Sequence, residues 1–124
     1  MPAEFGYANT MNLERFVESG VTTIAISGDI DLLSAPALRE VLQDCVRDRV
    51  PQLLLDCTAT TYMDSSGLAS LIEYYKESTA FGGKFALYGL NERIRSLLEL
   101  VRLDSLFLIG TTRSDALQKL GLAE

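Results

Sequence analysis

A chain of 124 residues, 48% of them hydrophobic, is the size of one ordinary domain and has enough apolar material for a core. Its formal charge is −6, with no basic cluster, which disfavours direct nucleic-acid binding, because such binding draws most of its strength from Lys and Arg neutralising phosphates. Histidine is absent, so there is no Ser–His or Cys–His nucleophile pair and no imidazole ligand; catalysis would have to rest on carboxylates, lysine or a bound metal.

Residues 1–10 are polar and aperiodic, and are expected to form a flexible lead-in to a single domain spanning 11–124. Residues 13–18 alternate loosely, Ser19-Gly20 signals a turn, and 21–26 are rich in β-branched residues. Together they predict an antiparallel hairpin closed at Gly20. Gly28 is expected to end the second strand and open the loop Gly28-Asp29-Ile30-Asp31. Ser34 is placed to cap a helix with Pro36 in its first turn and Leu38, Val41, Leu42 and Cys45 along one stripe. That helix should run to about Arg49, with Pro51 stopping it.

Residues 52–56 predict a strand, and Leu53-Leu54-Leu55 suit a central strand covered on both faces. After a connection over 58–64, Leu68, Leu71, Ile72 and Tyr75 follow helical spacing up to Gly82-Gly83. Phe85-Ala86-Leu87-Tyr88 is a further strand, and Asn91 can cap a helix carrying Ile94, Leu97, Leu98 and Val101. A short strand over 106–109 and a helix over 114–120 complete the chain. The order β-β-α-β-α-β-α-β-α predicts an α/β domain with a mostly parallel sheet, an antiparallel N-terminal edge hairpin and four helices.

Open parallel sheets present their sites on loops leaving the carboxyl ends of strands. Two such loops are unusual here, Gly28-Asp29-Ile30-Asp31 and Tyr62-Met63-Asp64-Ser65-Ser66-Gly67-Leu68. The second passes from an acid–hydroxyl cluster straight into a helix, with Ser65 at or beside the N-cap. Capping alone would account for Asp64, Ser65 and Ser66. The same position also suits a phosphate, since free N–H groups and the positive helix end favour an anion.

The run from Tyr62 to Leu68 resembles the phosphorylation motif of bacterial anti-sigma factor antagonists, the STAS-domain family. Gly28-Asp29-Ile30-Asp31 is similar to the family's glycine–acid–apolar–Asp loop after the second strand, and the later elements follow in matching order from about Leu13 to Leu120. The resemblance implies a partner switch. The unphosphorylated protein binds an anti-sigma factor that is also a serine kinase and thereby frees the sigma factor; phosphorylation of Ser65 releases it, and a metal-dependent serine phosphatase resets it. ATP and magnesium then belong to the kinase, and this chain needs no cofactor of its own.

Carried over residue by residue, Ser65 is the acceptor and Ser66 a structural hydroxyl or second-choice acceptor. Asp64 either holds the serine hydroxyl and assists the kinase or serves as a helix-start carboxylate favoured by the dipole. Asp31 is either a partner contact or a solvated loop carboxylate. Gly67 either permits close backbone approach or relaxes the helix geometry, and Ala69 and Glu73 are expected to extend the exposed surface of Ser65 towards the partner. Glu73 departs from the small residues more usual on this face.

Within the same fold, a non-switching scaffold, an anion-transporter appendage or a lipid-transport accessory subunit is the alternative. The longest apolar run is far short of the ~20 residues that span a bilayer, and no secretory signal opens the chain, so membrane insertion is not expected. Cys45 and Cys57 lie in apolar segments without a zinc-ligand pattern and read as reduced thiols of a cytoplasmic protein. A nucleotide-binding protein or enzyme of flavodoxin-like shape is disfavoured, since neither a P-loop nor a Gly-x-Ser-x-Gly elbow occurs.

Overall fold

The computed structural model describes residues 11–122; the lead-in expected over 1–10 lies outside the described residues. Five strands, β1 (Met11–Glu18), β2 (Val21–Ile30), β3 (Gln52–Met63), β4 (Lys84–Tyr88) and β5 (Leu108–Gly110), form one sheet in the order β1-β2-β3-β4-β5. The β1–β2 hairpin is antiparallel and every later pairing is parallel. Between the parallel strands run α1 (Ala35–Arg47), α2 (Ser65–Thr79) and α3 (Glu92–Leu100), and α4 (Arg113–Lys119) follows β5.

Each crossover joins neighbouring strands and steps in the same direction. Crossovers of one hand stepping one way keep their helices on one side of the sheet. The main core accordingly gathers Leu38, Leu42, Leu71, Ile94 and Leu98 from α1–α3 against Ile24, Leu53, Leu55 and Leu87. Helix α4 covers the opposite face, where Ala116, Leu117 and Leu120 meet Leu54, Ala86 and Tyr88. The expectation for Leu53-Leu54-Leu55 therefore holds: all three are fully buried, and Leu54 faces α4 while its neighbours face the other layer.

The first departure from expectation is at the functional end of the sheet. Strand β2 does not stop at Gly28, and residues 58–63 are not a connection; both continue as strand, pairing Asp29 with Tyr62 and Ile30 with Met63. Register breaks between Ala25 and Ser27 and between Gly28 and Asp29 upset the two-residue alternation that would have marked the strands. Buried Thr60 is accommodated because its hydroxyl donates to the Ile26 carbonyl at 2.8 Å.

Ser34 is not a side-chain cap either. Its backbone is already helical and its hydroxyl donates to the Asp29 carbonyl at 2.7 Å. The capping oxygen is Asp31 Oδ1, which accepts the N–H groups of Leu33 and Ser34, both at 3.0 Å.

On α2 the deeply buried aromatic is Tyr74, edge-on to Phe85, while Ile72 and Tyr75 pack at the rim of the core. Val101 is the exposed C-cap of α3 and not a core residue. The last strand begins at Leu108, because Leu103–Ser105 form a 3-10 turn and Leu106 is exposed.

Candidate functional site

The β3–α2 junction is set by a short series of hydrogen bonds. The Asp64 N–H donates to the Ile30 carbonyl at 3.1 Å, extending the β2–β3 ladder by one bond. Asp64 is itself extended, and its Oδ1 accepts the Ser66 N–H at 2.8 Å. Asp64 is therefore the N-cap of α2 and Ser65 the first helical residue. Ser65 is exposed, and its hydroxyl has no hydrogen-bond partner among the described residues. Ser66 is half-buried, and its carbonyl receives the Ser70 hydroxyl at 3.3 Å.

Gly67 explains why the helix starts so close to the sheet. A Cβ there would lie 2.8 Å from both Ile30 Cγ2 and Met63 Cγ, well inside van der Waals contact. The close approach is to the core beneath, since Gly67 is buried and faces away from solvent.

Among the described residues, two depressions border the start of α2. On one side Ser65 opens onto a cleft of about 400 Å³ between the junction and α3, with Met63, Ile94 and Leu97 as an apolar lining and Arg93 at its edge. On the other side Ser66, Ala69 and Glu73 line a groove of about 530 Å³ against Leu32, Pro36 and Arg39 of the α1 side. Ala69 and Glu73 thus share a surface with Ser66, while Ser65 looks to the opposite flank.

Glu73 is not a free carboxylate. Arg39 binds both of its oxygens, at 2.7 and 2.8 Å, and Gln43 donates to one of them at 3.0 Å. The Arg39 hydrogen bond holds the Glu73 carboxyl below the usual carboxylate range. Asp31 lines neither depression; its side chain is committed to the turn that launches α1.

Residues that sequence reasoning missed include Leu32 and Leu33, which are 74% and 69% exposed directly after Asp31. An apolar pair in a loop was a visible signal. Arg39 and Arg93 had none, because each reaches the site only through the packing of another helix. Cys45 and Cys57 are buried free thiols, and burial pushes the Cys57 thiol up to about 12. No three potential metal ligands cluster among the described residues.

The family described as the STAS domain matches residues 12–116. The chain belongs to the STAS domain family. This STAS domain is 31% identical over 99 residues to the anti-sigma-F factor antagonist RsfB of Mycobacterium tuberculosis, covering 80% of each chain. It is 30% identical over 92 residues to the anti-sigma-B factor antagonist of Listeria monocytogenes, covering 74% of this chain and 81% of that one. The crystal structure of an anti-sigma factor antagonist from Mycobacterium paratuberculosis superposes with a TM-score of 0.80 at 30% identity, over 87% of this chain and 92% of that chain. Among the described residues, no helix of the STAS domain is long and apolar enough to cross a membrane.

Proposed function

We propose that this STAS domain is an anti-sigma factor antagonist of the cytoplasm, not an enzyme. Unphosphorylated, it binds an anti-sigma factor serine kinase and frees the sigma factor; phosphorylation of Ser65 releases the kinase, and a serine phosphatase restores the binding form. The observation that carries the reading is the placement of Ser65, an exposed hydroxyl with no partner among the described residues, at the first position of a helix whose cap is supplied by its neighbour Asp64. The names of the relatives support the same reading.

In the transfer, Ser65 Oγ forms a bond to the γ-phosphorus of kinase-bound ATP. The bond from that phosphorus to the bridging oxygen breaks, ADP leaves, and the hydroxyl proton passes to a base of the kinase or to water. Because Asp64 keeps the Ser66 N–H satisfied, Ser65 is modified without unmaking the cap. A phosphoserine adds about −1.5 to −2 charges, favoured at the helix start in the free protein. Against a closely packed partner the same charge must be desolvated beside Asp64. A cost of several kcal/mol is tenfold in affinity for each ~1.4 kcal/mol, enough for a switch of a hundredfold or more.

Groove residues Leu32, Pro36, Ser66 and Ala69, bounded by the Arg39–Glu73 pair, form the partner-binding surface in this reading, with Asp64 on the Ser65 side of the junction, while Asp31 and buried Gly67 support it through the turn before α1 and the start of α2. The test is to incubate the protein with ATP, magnesium and candidate anti-sigma kinases and to map phosphate by mass spectrometry beside Ser65→Ala. Phosphate on Ser65 with loss of kinase binding is the expected result. Kinases that bind the protein and leave Ser65 unmodified would refute the switch and favour a passive STAS scaffold.

A further inference from the structure

We propose that Arg93 receives the phosphate of phosphorylated Ser65 within the same chain, closing the cleft between α2 and α3. This rests on the reading of Ser65 as a phosphoacceptor and extends it to what the phosphate does once attached.

Ser65 and Arg93 line one cleft although they belong to different crossovers. Because β3 and β4 are parallel, α2 and α3 both begin at the same edge of the sheet. Two positive helix ends therefore meet at this edge. Arg93 is the second residue of α3, after the cap Asn91. A cation in a first helical turn opposes the helix dipole, so its position there is unfavourable on its own account. Arg93, like Arg49, Arg95 and Arg102, makes no ion pair among the described residues, but it alone of these four lines the cleft of Ser65, and it is exposed there.

Arg93 is the cation of this lining and Asp64 its carboxylate, with Oδ1 accepting the Ser66 N–H, while Met63, Ile94 and Leu97 are apolar. A dianionic phosphate on Ser65 is the group that relieves the arrangement. A guanidinium matches its oxygens two at a time, and the apolar wall strengthens the attraction by displacing water. One consequence follows for the switch: the phosphate is shielded until a phosphatase displaces the guanidinium.

The experiment installs phosphoserine at position 65 of the full chain during translation, so that no kinase is needed. The second ionisation of the phosphate is then followed by phosphorus NMR between pH 5 and 8, in the otherwise unaltered chain and in Arg93→Gln. Tyr62, Asp64 and Arg93 are the titratable groups that line the cleft with it. The expected result is a phosphate pKa below the ~6 of an unrestrained phosphoserine, rising by about one unit in Arg93→Gln and partly restored to the lower value in Arg93→Lys. Equal urea midpoints for unphosphorylated Arg93→Gln and the parent chain establish that the fold is unchanged. Titration curves that coincide with and without Arg93 overturn the proposal. A failure of every kinase to modify Ser65 would sink the functional reading while leaving this titration untouched, so the two failures are distinguishable.

Discussion

Replacing Gly67 with alanine sets two opposing effects against each other at the root of the site. Alanine is the better helix former by up to about 1 kcal/mol, so propensity alone calls for a more stable protein. The added Cβ, however, would stand 2.8 Å from Ile30 Cγ2 and from Met63 Cγ. Neither atom is the loose end of a flexible side chain. Ile30 is a fully buried β-branched strand residue, and the Met63 methylene lies close to its own backbone, which is paired to Ile30. Overpacking of this kind costs about 1–3 kcal/mol, and the net expectation is destabilisation by about 1–2 kcal/mol.

With a urea slope of about 2 kcal/mol/M, the midpoint should fall by about 0.5–1 M. The cheapest relief is for the first turn of α2 to lift off the sheet, which moves Ser65 and the Asp64 cap together. Phosphorylation of Ser65 by a cognate kinase should then slow by more than the loss of folded protein explains. Equilibrium urea unfolding followed by circular dichroism reads the first effect, and initial phosphorylation rates at saturating ATP read the second. A midpoint that rises on Gly67→Ala would refute the reasoning, because it would mean that helix propensity outweighs the contact.

Asp31→Ala should destabilise the fold by about 1 kcal/mol by releasing the Leu33 and Ser34 N–H groups, whereas Asp31→Asn keeps an acceptor and most of the stability; urea midpoints of the pair separate capping from charge. Tyr74→Phe should be neutral or stabilising by up to about 1 kcal/mol, since the buried Tyr74 hydroxyl has no partner among the described residues, and thermal unfolding with a loss above that size would count against it. Stability should fall as pH rises from about 9 towards 12, because the unfolded chain releases the Cys57 proton near 9 while the folded chain holds it to about 12. That contribution is intact below pH 9, declines by up to about 1.4 kcal/mol per pH unit above it, and should be missing from the slope of urea midpoint against pH in Cys57→Ala.

Local features were legible wherever one stretch of chain carried its own signal. Asn91 caps α3 as its chemistry predicts, its side chain accepting the Ile94 N–H at 2.9 Å. The triple leucine of β3 announced a strand covered on both faces. By contrast, residues 58–63 read as a loop because Thr and Ala obscure a pattern already broken by two register shifts, although Thr and Tyr favour strands. Tyr74 and Tyr75 are adjacent, and periodicity picked Tyr75 for the core, whereas the structure buries Tyr74 and leaves Tyr75 at the rim. The close contact of α1 with α2 and the edge-on meeting of Tyr74 with Phe85 decided it.

The same division runs through the site. By itself, the sequence determined that a hydroxyl–acid cluster opens a helix at the carboxyl edge of a parallel sheet, because caps, turns and strand order depend on neighbours a few residues apart. Only the tertiary structure decided that Ser65 and Ser66 look to opposite flanks of α2, that Glu73 is held by Arg39 from α1, and that Arg93 of α3 stands at the cleft of Ser65. The last two relations join residues roughly 30 positions apart, and they exist only once the helices have packed on a common face of the sheet.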